Sequence, residues 1–576
     1  MSGDAQSILT KHSLTAALLA GVLSLCLYLY TAAPELPPGH DSAELIAAAA
    51  SGGIAHPPGY PLYTMIGHAA VQLSPWDPIF TLNVFSACCG ALAIALAAWA
   101  FSKLSGSALA GGLAALLLAV AATPWRLSVG AEVFALHLAF VAALLALTAQ
   151  WRLSSDRVRQ YVADAGALFF GLACAHHQTI VLLLPPLAVF FWLERRRSPA
   201  ADFGFTWRSL LFFFLGLTPY LYLPWKAAQH PLLNWGDPSS WERFLWVVLR
   251  QGYGGAQLSA VSHSQSAYLY HLGHWGKSLA WWQFPAIAFF LGLYGTVKSW
   301  QSNRSVCVLL LSLCLICGPV WCFVSAQPEG PGFADMLERF YAVSYLGFAG
   351  LIALGIAAFQ TRGRGYARLG IALAVSALFL GTALNWQRAS ARGLYVISDA
   401  VRAMTDSVPP GALAITCNDL TSGAFMYAAA VEGKDMLSIP AGLVYSDWFR
   451  AQLTPDQAEA IAKGGLEGLL RSERSQGRIV ICEAPLPGVR GFFVPYGLMY
   501  KYLAPGEPIP NRMQASIESL LYLEKMPRRD AGRDYSCQPF WTEFYVQRWR
   551  EAYRVLIEGL PPNSKMRTIA EEKAQE

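Results

Sequence analysis

Charged residues are scarce in this sequence, and the shortage excludes an ordinary soluble protein. Asp, Glu, Lys and Arg make up 14% of the 576 residues, whereas soluble globular domains carry about 25%. Hydrophobic residues account for 55% of the chain, and its mean hydropathy is +0.36. The net charge is only +5, and the sequence has no block rich in Lys and Arg. Nucleic acid is therefore not an expected partner. This composition indicates a protein that crosses a membrane many times.

The common motifs of cofactor chemistry are also missing. The sequence has no HExxH, no pair of CxxC units and no Asp-x-Asp triplet, which argues against a dedicated metal centre. It has neither a Walker A loop nor a Rossmann fingerprint, which argues against ATP-driven and hydride-transfer chemistry. We therefore predict that no cofactor is required, while help from a divalent metal at Asp41, Glu44 and Glu132 stays an open alternative.

Long apolar segments are what the sequence does have. The first lacks an A-x-A cleavage site, so we expect an uncleaved helix and not a signal peptide. With the N-terminus in the cytoplasm, the inner loops hold fourteen Lys and Arg residues and the outer loops up to Phe340 hold six. Eleven segments are long enough to suggest crossings: 14–33, 81–101, 108–122, 132–149, 162–175, 178–193, 207–225, 278–297, 305–324, 341–358 and 366–385.

An odd number of crossings places the C-terminal part of the chain outside. We predict a transmembrane domain over residues 1–385, with outer loops at 34–80 and 226–277, and an external soluble domain over residues 386–576. In the external domain, 411–417, 435–440 and 477–483 resemble buried strands, and helical patterns lie between them. The predicted fold is an all-α membrane bundle of about 11 transmembrane helices followed by a small α/β domain with a helical tail.

Polar residues gather at the predicted outer ends of the helices. Ion-coupled transporters usually need ionisable residues near the middle of the bilayer, but seven of the predicted spans contain no Asp, Glu, Lys, Arg or His. This layout predicts a one-sided site, open to a lipid from the bilayer and to a partner from outside. The candidate residues are Asp41, Glu44, His56, Glu132, His176, His177, Trp235, Asp237, Arg250 and Arg339.

Sugar transfer from a polyprenyl phosphate fits such a site. The lipid tail of the donor stays in the bilayer while its phosphate lies at the interface. A carboxylate can deprotonate the attacking hydroxyl as a general base, and a cation can stabilise the departing phosphate. An acid in a rigid outer loop and an arginine at the mouth of a helix supply both groups.

The stretch DSAELIAAAASGGIAHPPGYPLYTMIGHA, which begins at Asp41, resembles the opening block of a known membrane family. That family, first catalogued as a domain of unknown function, includes a eukaryotic protein O-mannosyltransferase of the endoplasmic reticulum that acts on IPT domains. The family resembles a branch of the GT-C glycosyltransferases, which use polyprenyl-phosphate sugars. Further similar blocks follow in the family's order: AEVFALH (131–137), GLACAHHQTIVLLLPP (171–186), NWGDPSSWERFLWVVLRQGYG (234–254), LERFYAVSY (337–345) and VPYGLMY (494–500).

This resemblance implies roles for the candidate residues. Asp41 would be the general base of an inverting glycosyltransferase, with Glu44 beside it at the catalytic centre. Arg339, Arg250 or His177 would face the donor phosphate, and the other candidates would line the donor and acceptor sites. Mannose is the implied sugar, although Ala43 and the pair His176-His177 depart from the family's usual residues and leave the donor open. The acceptor is a protein, a glycan or a lipid.

Each candidate also has a purely structural interpretation. Asp41 and Glu44 have the spacing of a helix capping box. His56 lies in a Pro-Pro-Gly turn, and Asp237 has the position of an N-cap for the helix that follows it. At the level of the whole chain, a transporter or lipid flippase and a non-catalytic envelope scaffold are the competing hypotheses. We expect the location to be a bacterial inner membrane, with the C-terminal domain in the periplasm.

Overall fold

The computed structural model describes residues 3–197, 204–255, 264–526, 528–530, 533–535, 538 and 540–575. The first part of the chain is helical. Its α-helices are α1 (Gly3–Thr31), α2 (Ser42–Ser51), α3 (Pro61–Leu73), α4 (Pro78–Ser105), α5 (Ala108–Ala119), α6 (Ala122–Leu127), α7 (Val133–Leu153), α8 (Asp156–His176), α9 (Leu184–Arg197), α10 (Trp207–Gly216), α11 (Tyr222–Ala227), α12 (Trp241–Val248), α13 (Gln265–Lys277), α14 (Ala286–Ser302), α15 (Arg304–Leu315), α16 (Trp321–Ser325), α17 (Pro331–Glu338), α18 (Ala342–Gln360) and α19 (Arg364–Ala389).

All eleven predicted segments are helical, but they differ in length. Among the described residues, seven helical runs are long and apolar enough to cross a membrane: Ile8–Thr31, Pro78–Ser105, Val133–Leu153, Gln178–Arg197, Arg304–Ser325, Pro331–Gln360 and Arg364–Ala389. The other four predicted segments form helices that are shorter, interrupted or more polar. The membrane bundle is therefore confirmed, and the count of eleven crossings stays a prediction.

Small side chains allow close packing in the centre of the bundle. Helix α4 packs against α1, α5 and α7, and α18 packs against α14 and α15. Almost every residue of α18 is buried. A helix that is apolar on all sides is expected in such a position, because no face of it meets water.

The C-terminal part is a small α/β domain. Its sheet has the order β2-β1-β3-β5-β4, with β1, β2 and β3 parallel and β4 and β5 forming an antiparallel hairpin at one edge. The elements are α20 (Val396–Ser407), β1 (Ala412–Thr416), α21 (Asp419–Ala430), β2 (Met436–Pro440), α22 (Asp447–Arg450), α23 (Pro455–Ser475), β3 (Val480–Cys482), β4 (Phe492–Tyr496), β5 (Met499–Leu503), α24 (Arg512–Leu523), α25 (Phe540–Ile557) and α26 (Lys565–Lys573).

The three predicted strands are confirmed as β1, β2 and β3. The hairpin of β4 and β5 was not predicted, because Pro495 lies within β4, where proline disfavours a strand, and Lys501 interrupts the apolar residues of β5. Helix α23, one of the helical patterns predicted between the strands, begins at a Thr-Pro pair, where the Thr454 side chain and Gln457 form a capping box. The α/β domain packs on the first outer loop, which contains α2 and α3.

Candidate active site

An ion pair between distant parts of the chain forms the centre of the site. Asp41 lies just before α2, and Arg339 lies in a single 3-10 turn between α17 and α18. Arg339 Nη1 donates a hydrogen bond to Asp41 Oδ2 at 2.9 Å and lies 3.5 Å from Glu132 Oε1. Three residues that the sequence analysis proposed separately are thus brought into contact.

The capping-box interpretation of Asp41 and Glu44 is wrong. Asp41 occupies the N-cap position of α2, but its side chain makes no capping hydrogen bond. The carboxylate of Asp41 faces Arg339 instead, and that of Glu44 faces His56. The spacing of the two acids therefore directs each of them to a different cation, and the helix begins without a side-chain cap.

His56 and Glu44 form a second ion pair beside the first. Glu44 Oε1 accepts a hydrogen bond from the His56 backbone N–H at 2.6 Å, and Glu44 Oε2 lies 2.9 Å from His56 Nδ1. The turn predicted at His56 is also present, because the Gly59 N–H donates to the His56 carbonyl at 2.8 Å. Gly59 has a φ of 88°, a conformation that favours glycine. His56 thus serves the turn through its backbone and pairs with Glu44 through its side chain.

Glu132 is held by the start of α7, where it has the N-cap position without a capping hydrogen bond. Ser42 Oγ donates to Glu132 Oε1 at 3.4 Å. Behind it, the buried Asn83 side chain donates to the carbonyls of Ala33 and Glu35 and accepts from the Ala131 N–H. Asn83, which the sequence analysis missed, therefore ties the first outer loop to the segment that carries Glu132.

A layer of aromatic and histidine rings supports the guanidinium of Arg339. That group lies 5.2 Å from the ring centre of Phe134 and 5.7 Å from that of Phe340. The buried ring of His177 packs against both phenylalanines and against Tyr60. His177 is thus one layer behind the ion pair.

His176 and the predicted residues of outer loop four (residues 226–277) surround the two ion pairs. His176 Nε2 bonds the Val133 carbonyl at 2.9 Å, so this side chain orients the start of α7. The Trp235 ring packs edge-on against His56 at 6.3 Å. Arg250 has a positive φ of 53°, and its guanidinium lies 5.5 Å from the Tyr253 ring centre. These contacts place Trp235 at the site and leave His176 in a supporting position.

The interpretation of Asp237 as a helix N-cap is wrong. Helix α12 is capped by Ser240, whose side chain accepts from the Arg243 N–H. Asp237 Oδ1 instead accepts from Asn234 Nδ2 at 3.0 Å. Asp237 therefore stabilises the loop that presents Trp235.

The charges at the site push the pKa values of its two central acids apart. Burial disfavours the charge on Asp41, but the neighbouring Arg339 and His56 outweigh burial and hold the pKa of this carboxyl below its usual range. Burial, reinforced by the Asp41 charge, raises the pKa of Glu132 despite Arg339. Two carboxyl groups separated in this way can take different parts in proton transfer. Asp41 is the one that stays ionised.

Several buried polar atoms at the site have no hydrogen-bond partner within the described chain. These are Glu132 Oε2, Arg339 Nε, Arg250 Nε and Trp235 Nε1. Buried polar atoms are normally paired, so a group of unpaired ones needs an explanation. A cavity of about 50 Å³ also reaches Arg339 and Glu132 from the side of α6 and α19, and Arg126 and Arg388 line it. The site therefore has donors, acceptors and positive charge available for a ligand.

The α/β domain contributes residues that the sequence analysis did not consider. Asp419 is the first residue of α21, the helix that packs against α2. Trp448 packs on Trp235 at 5.2 Å, and Gln452 Nε2 donates to the Asn234 carbonyl at 2.9 Å. No motif in the sequence links these residues to the first outer loop, because the contact depends on how the two domains pack.

A metal site is not evident in the described residues. Within those ranges, no group of three or more His, Cys, Asp or Glu side chains is arranged to hold a metal ion. The groups at the site instead form two ion pairs, Asp41 with Arg339 and Glu44 with His56.

Comparison with known proteins finds similarity to protein O-mannosyl-transferases. Residues 41–200 match the family model described as the protein O-mannosyl-transferase TMEM260 N-terminal domain. The chain is 29% identical to protein O-mannosyl-transferase TMEM260 of Mus musculus over 431 residues, which cover 72% of this chain and 61% of the relative. It is 27% identical to the Dictyostelium discoideum protein of the same name over 275 residues, which cover 44% of this chain and 32% of the relative. The chain thus spans less than two thirds of the length of these curated relatives.

The fold is similar to that of a solved membrane enzyme. ArnT from Cupriavidus metallidurans, solved with bound undecaprenyl phosphate, superposes with a TM-score of 0.54 at 11% sequence identity. The superposition covers 86% of this chain and 98% of ArnT. At this identity the likeness concerns the fold alone, and it confirms the predicted GT-C-like architecture. Residues 41–200 are therefore similar to the TMEM260 N-terminal domain, in a chain whose fold is similar to that of ArnT.

Proposed function

We propose that this protein is an inverting membrane glycosyltransferase that moves a sugar, with mannose the leading candidate, from a polyprenyl phosphate to a hydroxyl group. The observation that carries the proposal is the Arg339 guanidinium, which lies between Asp41 and Glu132 and keeps its Nε free among the described residues. The family match adds the class of reaction, and protein Ser or Thr is the acceptor that it favours.

In the proposed reaction, Asp41 removes the proton of the acceptor hydroxyl as that oxygen attacks the anomeric carbon. The bond from this carbon to the acceptor oxygen forms while its bond to the phosphate oxygen breaks. The electron pair leaves with the polyprenyl phosphate, and the proton stays on Asp41. Such general base catalysis commonly contributes a factor of about 10² to 10⁴ in rate.

Arg339 has two partners in this proposal. Without a donor it neutralises Asp41, which keeps this carboxylate ionised but makes it a weak base. When a donor phosphate binds, the Arg339 guanidinium donates some of its hydrogen bonds to the phosphate oxygens instead of to Asp41. Asp41 then loses some of its stabilising partner and becomes a stronger base. Donor binding and base activation are thus coupled through one side chain.

Arginine side chains along the neighbouring cavity support this position for the donor. Arg126, which pairs with Asp335 at 2.9 Å, and Arg388 lie along the cavity that reaches Arg339. Arginine forms bidentate hydrogen bonds with phosphate, so a chain of such side chains suits a phosphate headgroup. Glu132 Oε2 has no partner among the described residues, so it is available for a sugar hydroxyl.

The test is a transfer assay with purified protein in lipid nanodiscs. Polyprenyl-phosphate mannose and other polyprenyl-phosphate sugars are supplied with a Thr-containing peptide or a purified IPT domain, and both released polyprenyl phosphate and glycosylated acceptor are measured. We expect one donor to be consumed with matching formation of product. Consumption of no donor would contradict the proposal and would favour a transporter or a scaffold. The location in a bacterial inner membrane is also a proposal. The two curated relatives above come from eukaryotes and therefore do not support it directly.

A further inference from the structure

Helix α21 of the α/β domain lies directly against α2, the helix that carries Glu44. Gly423 makes this approach possible, because a Cβ atom at that position would lie 2.3 Å from the Glu44 backbone nitrogen and 2.9 Å from the Ala43 carbonyl carbon. Any larger side chain would force the two helices apart. The start of α21 is therefore held at the mouth of the site by backbone packing.

Asp419 is the first residue of this helix, and its orientation is set by its neighbours. Asn418 caps the helix by accepting from the Thr421 N–H. The buried Glu483 accepts hydrogen bonds from the Cys417 N–H and from Thr421 Oγ1. These contacts fix the chain on both sides of Asp419 while its own side chain stays exposed.

Among the described residues, Asp419 has no ion-pair partner of its own. Arg339 pairs with Asp41, and His56 pairs with Glu44, so the inner charges of the site largely cancel. The carboxylate of Asp419 has no hydrogen bond or ion pair within the described ranges, which do not include residues 256–263 of the adjacent outer loop. It therefore adds a net negative charge at the mouth of the site. Asp419 lies one helical turn before Gly423, on the face of α21 that packs against α2.

We infer that Asp419 determines acceptor specificity, by binding a cationic side chain or N–H group next to the hydroxyl that receives the sugar. This inference rests on the proposed function. A carboxylate can only accept hydrogen bonds, so its ligand must be a donor or a cation. In the proposed function, the acceptor enters from outside past α21 and the donor reaches Arg339 from the bilayer. Asp419 therefore contacts the acceptor and leaves donor binding unchanged.

A second contact holds this part of the domain in place. The tilted rings of Trp448 and Trp235 pack against each other, and Gln452 Nε2 donates to the Asn234 carbonyl in outer loop four. The α/β domain thus reaches the site on two sides, through α21 on α2 and through α22 on outer loop four. The segment of the α/β domain between these two contacts is held in place and would line the acceptor site.

The test compares two peptides that differ only in the residue beside the acceptor threonine, which is Lys in one and Glu in the other. Rates are measured at saturating donor for wild type, Asp419→Asn and Asp419→Glu. Glu459→Gln is the matched control, since Glu459 is an exposed acid on α23 of the same domain. We expect wild type to prefer the Lys peptide by about tenfold in kcat/KM and Asp419→Asn to lose most of this preference. Asp419→Glu and Glu459→Gln should keep it.

The outcomes separate the inference from the proposed function. Equal preference in wild type and Asp419→Asn, with normal transfer in both, would overturn the inference alone. A fall in kcat at saturating peptide with unchanged KM and unchanged preference would also overturn it, because Asp419 would then act on the chemistry. No transfer by wild type with either peptide and any donor would overturn the proposed function and the inference with it. The KM for the donor should be the same in all four proteins.

Discussion

At the scale of single residues, Asp41 and Glu44 illustrate how the same spacing can serve different purposes. Two acids three residues apart before an apolar helix are typical of a capping box. In the folded protein each acid instead has a cationic partner from elsewhere in the chain, Arg339 or His56. Helix propensity in LIAAAA suffices to form α2 without a side-chain cap. The local pattern predicts the helix, and only the tertiary contacts reveal the chemistry.

The pair of His56 and Glu44 predicts a pH dependence of stability. Burial opposes the charge on His56, but the carboxylates of Glu44 and Asp41 outweigh it and raise the pKa of His56 to about 9. Its ordinary value is about 6.5. A raised pKa means that the pair stabilises the fold fully below about pH 6.5 and that this contribution is lost as the pH rises towards 9. The full shift corresponds to roughly 3 kcal/mol.

We therefore expect the unfolding temperature of wild type to fall between pH 7 and pH 9.5. In Glu44→Gln the imidazole has lost its nearest carboxylate, so the fall should be smaller and should begin at lower pH. Thermal unfolding in nanodiscs across this pH range measures both. Equal pH profiles in the two proteins would mean that the ion pair does not stabilise the fold.

At the scale of secondary structure elements, the contact of α2 with α21 is the feature least accessible from sequence. The strands, the helix α23 and the apolar helices were predicted from periodicity and end signals. Gly423, in contrast, lies in an ordinary alanine-rich helix. Its importance comes from the backbone of Glu44, which packs against it. Nothing in the sequence around Gly423 indicates this contact. Contacts of this kind, like that of Arg339 with Asp41, depend on the fold as a whole.

Gly423→Ala tests this contact. The added methyl group would lie 2.3 Å from the Glu44 nitrogen, so α21 must move away from α2. Overpacking of this kind costs about 1 to 3 kcal/mol. We expect a lower unfolding temperature and a transfer rate reduced about tenfold. Gly442→Ala is the control, because the space around Gly442 is open and its φ is −70°. Equal effects of the two substitutions would contradict close packing at Gly423.

At the scale of the whole molecule, the site and the α/β domain lie on the same side of the bundle. Glu35 in the first outer loop accepts two hydrogen bonds from Arg529 at 2.7 Å, and the Leu36 N–H donates to Ser398 Oγ. These contacts add to those of α21 and Trp448. The distribution of Lys and Arg predicts that this side faces away from the cytoplasm.

Cysteine labelling tests this orientation. Glu459 on α23 is exposed, so Glu459→Cys provides a reactive thiol on the α/β domain without disturbing a buried contact. In intact cells, a membrane-impermeant maleimide should label this variant above the background given by the wild-type cysteines. Labelling that requires the membrane to be opened would place the domain and the site in the cytoplasm.

The central claim is that Asp41 is the general base, and one pair of substitutions tests it most directly. Asp41 and Asp77 both precede a helix at the outer surface, but Asp77 caps α4 by accepting from the Phe80 N–H, whereas Asp41 has no capping role. Asparagine caps a helix about as well as aspartate does. The measurement is kcat for sugar transfer by Asp41→Asn and Asp77→Asn, with thermal unfolding of both proteins. We predict that Asp41→Asn lowers kcat by about 10² or more while the protein stays folded, and that Asp77→Asn transfers at nearly the wild-type rate. A folded Asp41→Asn protein with wild-type kcat would contradict the account.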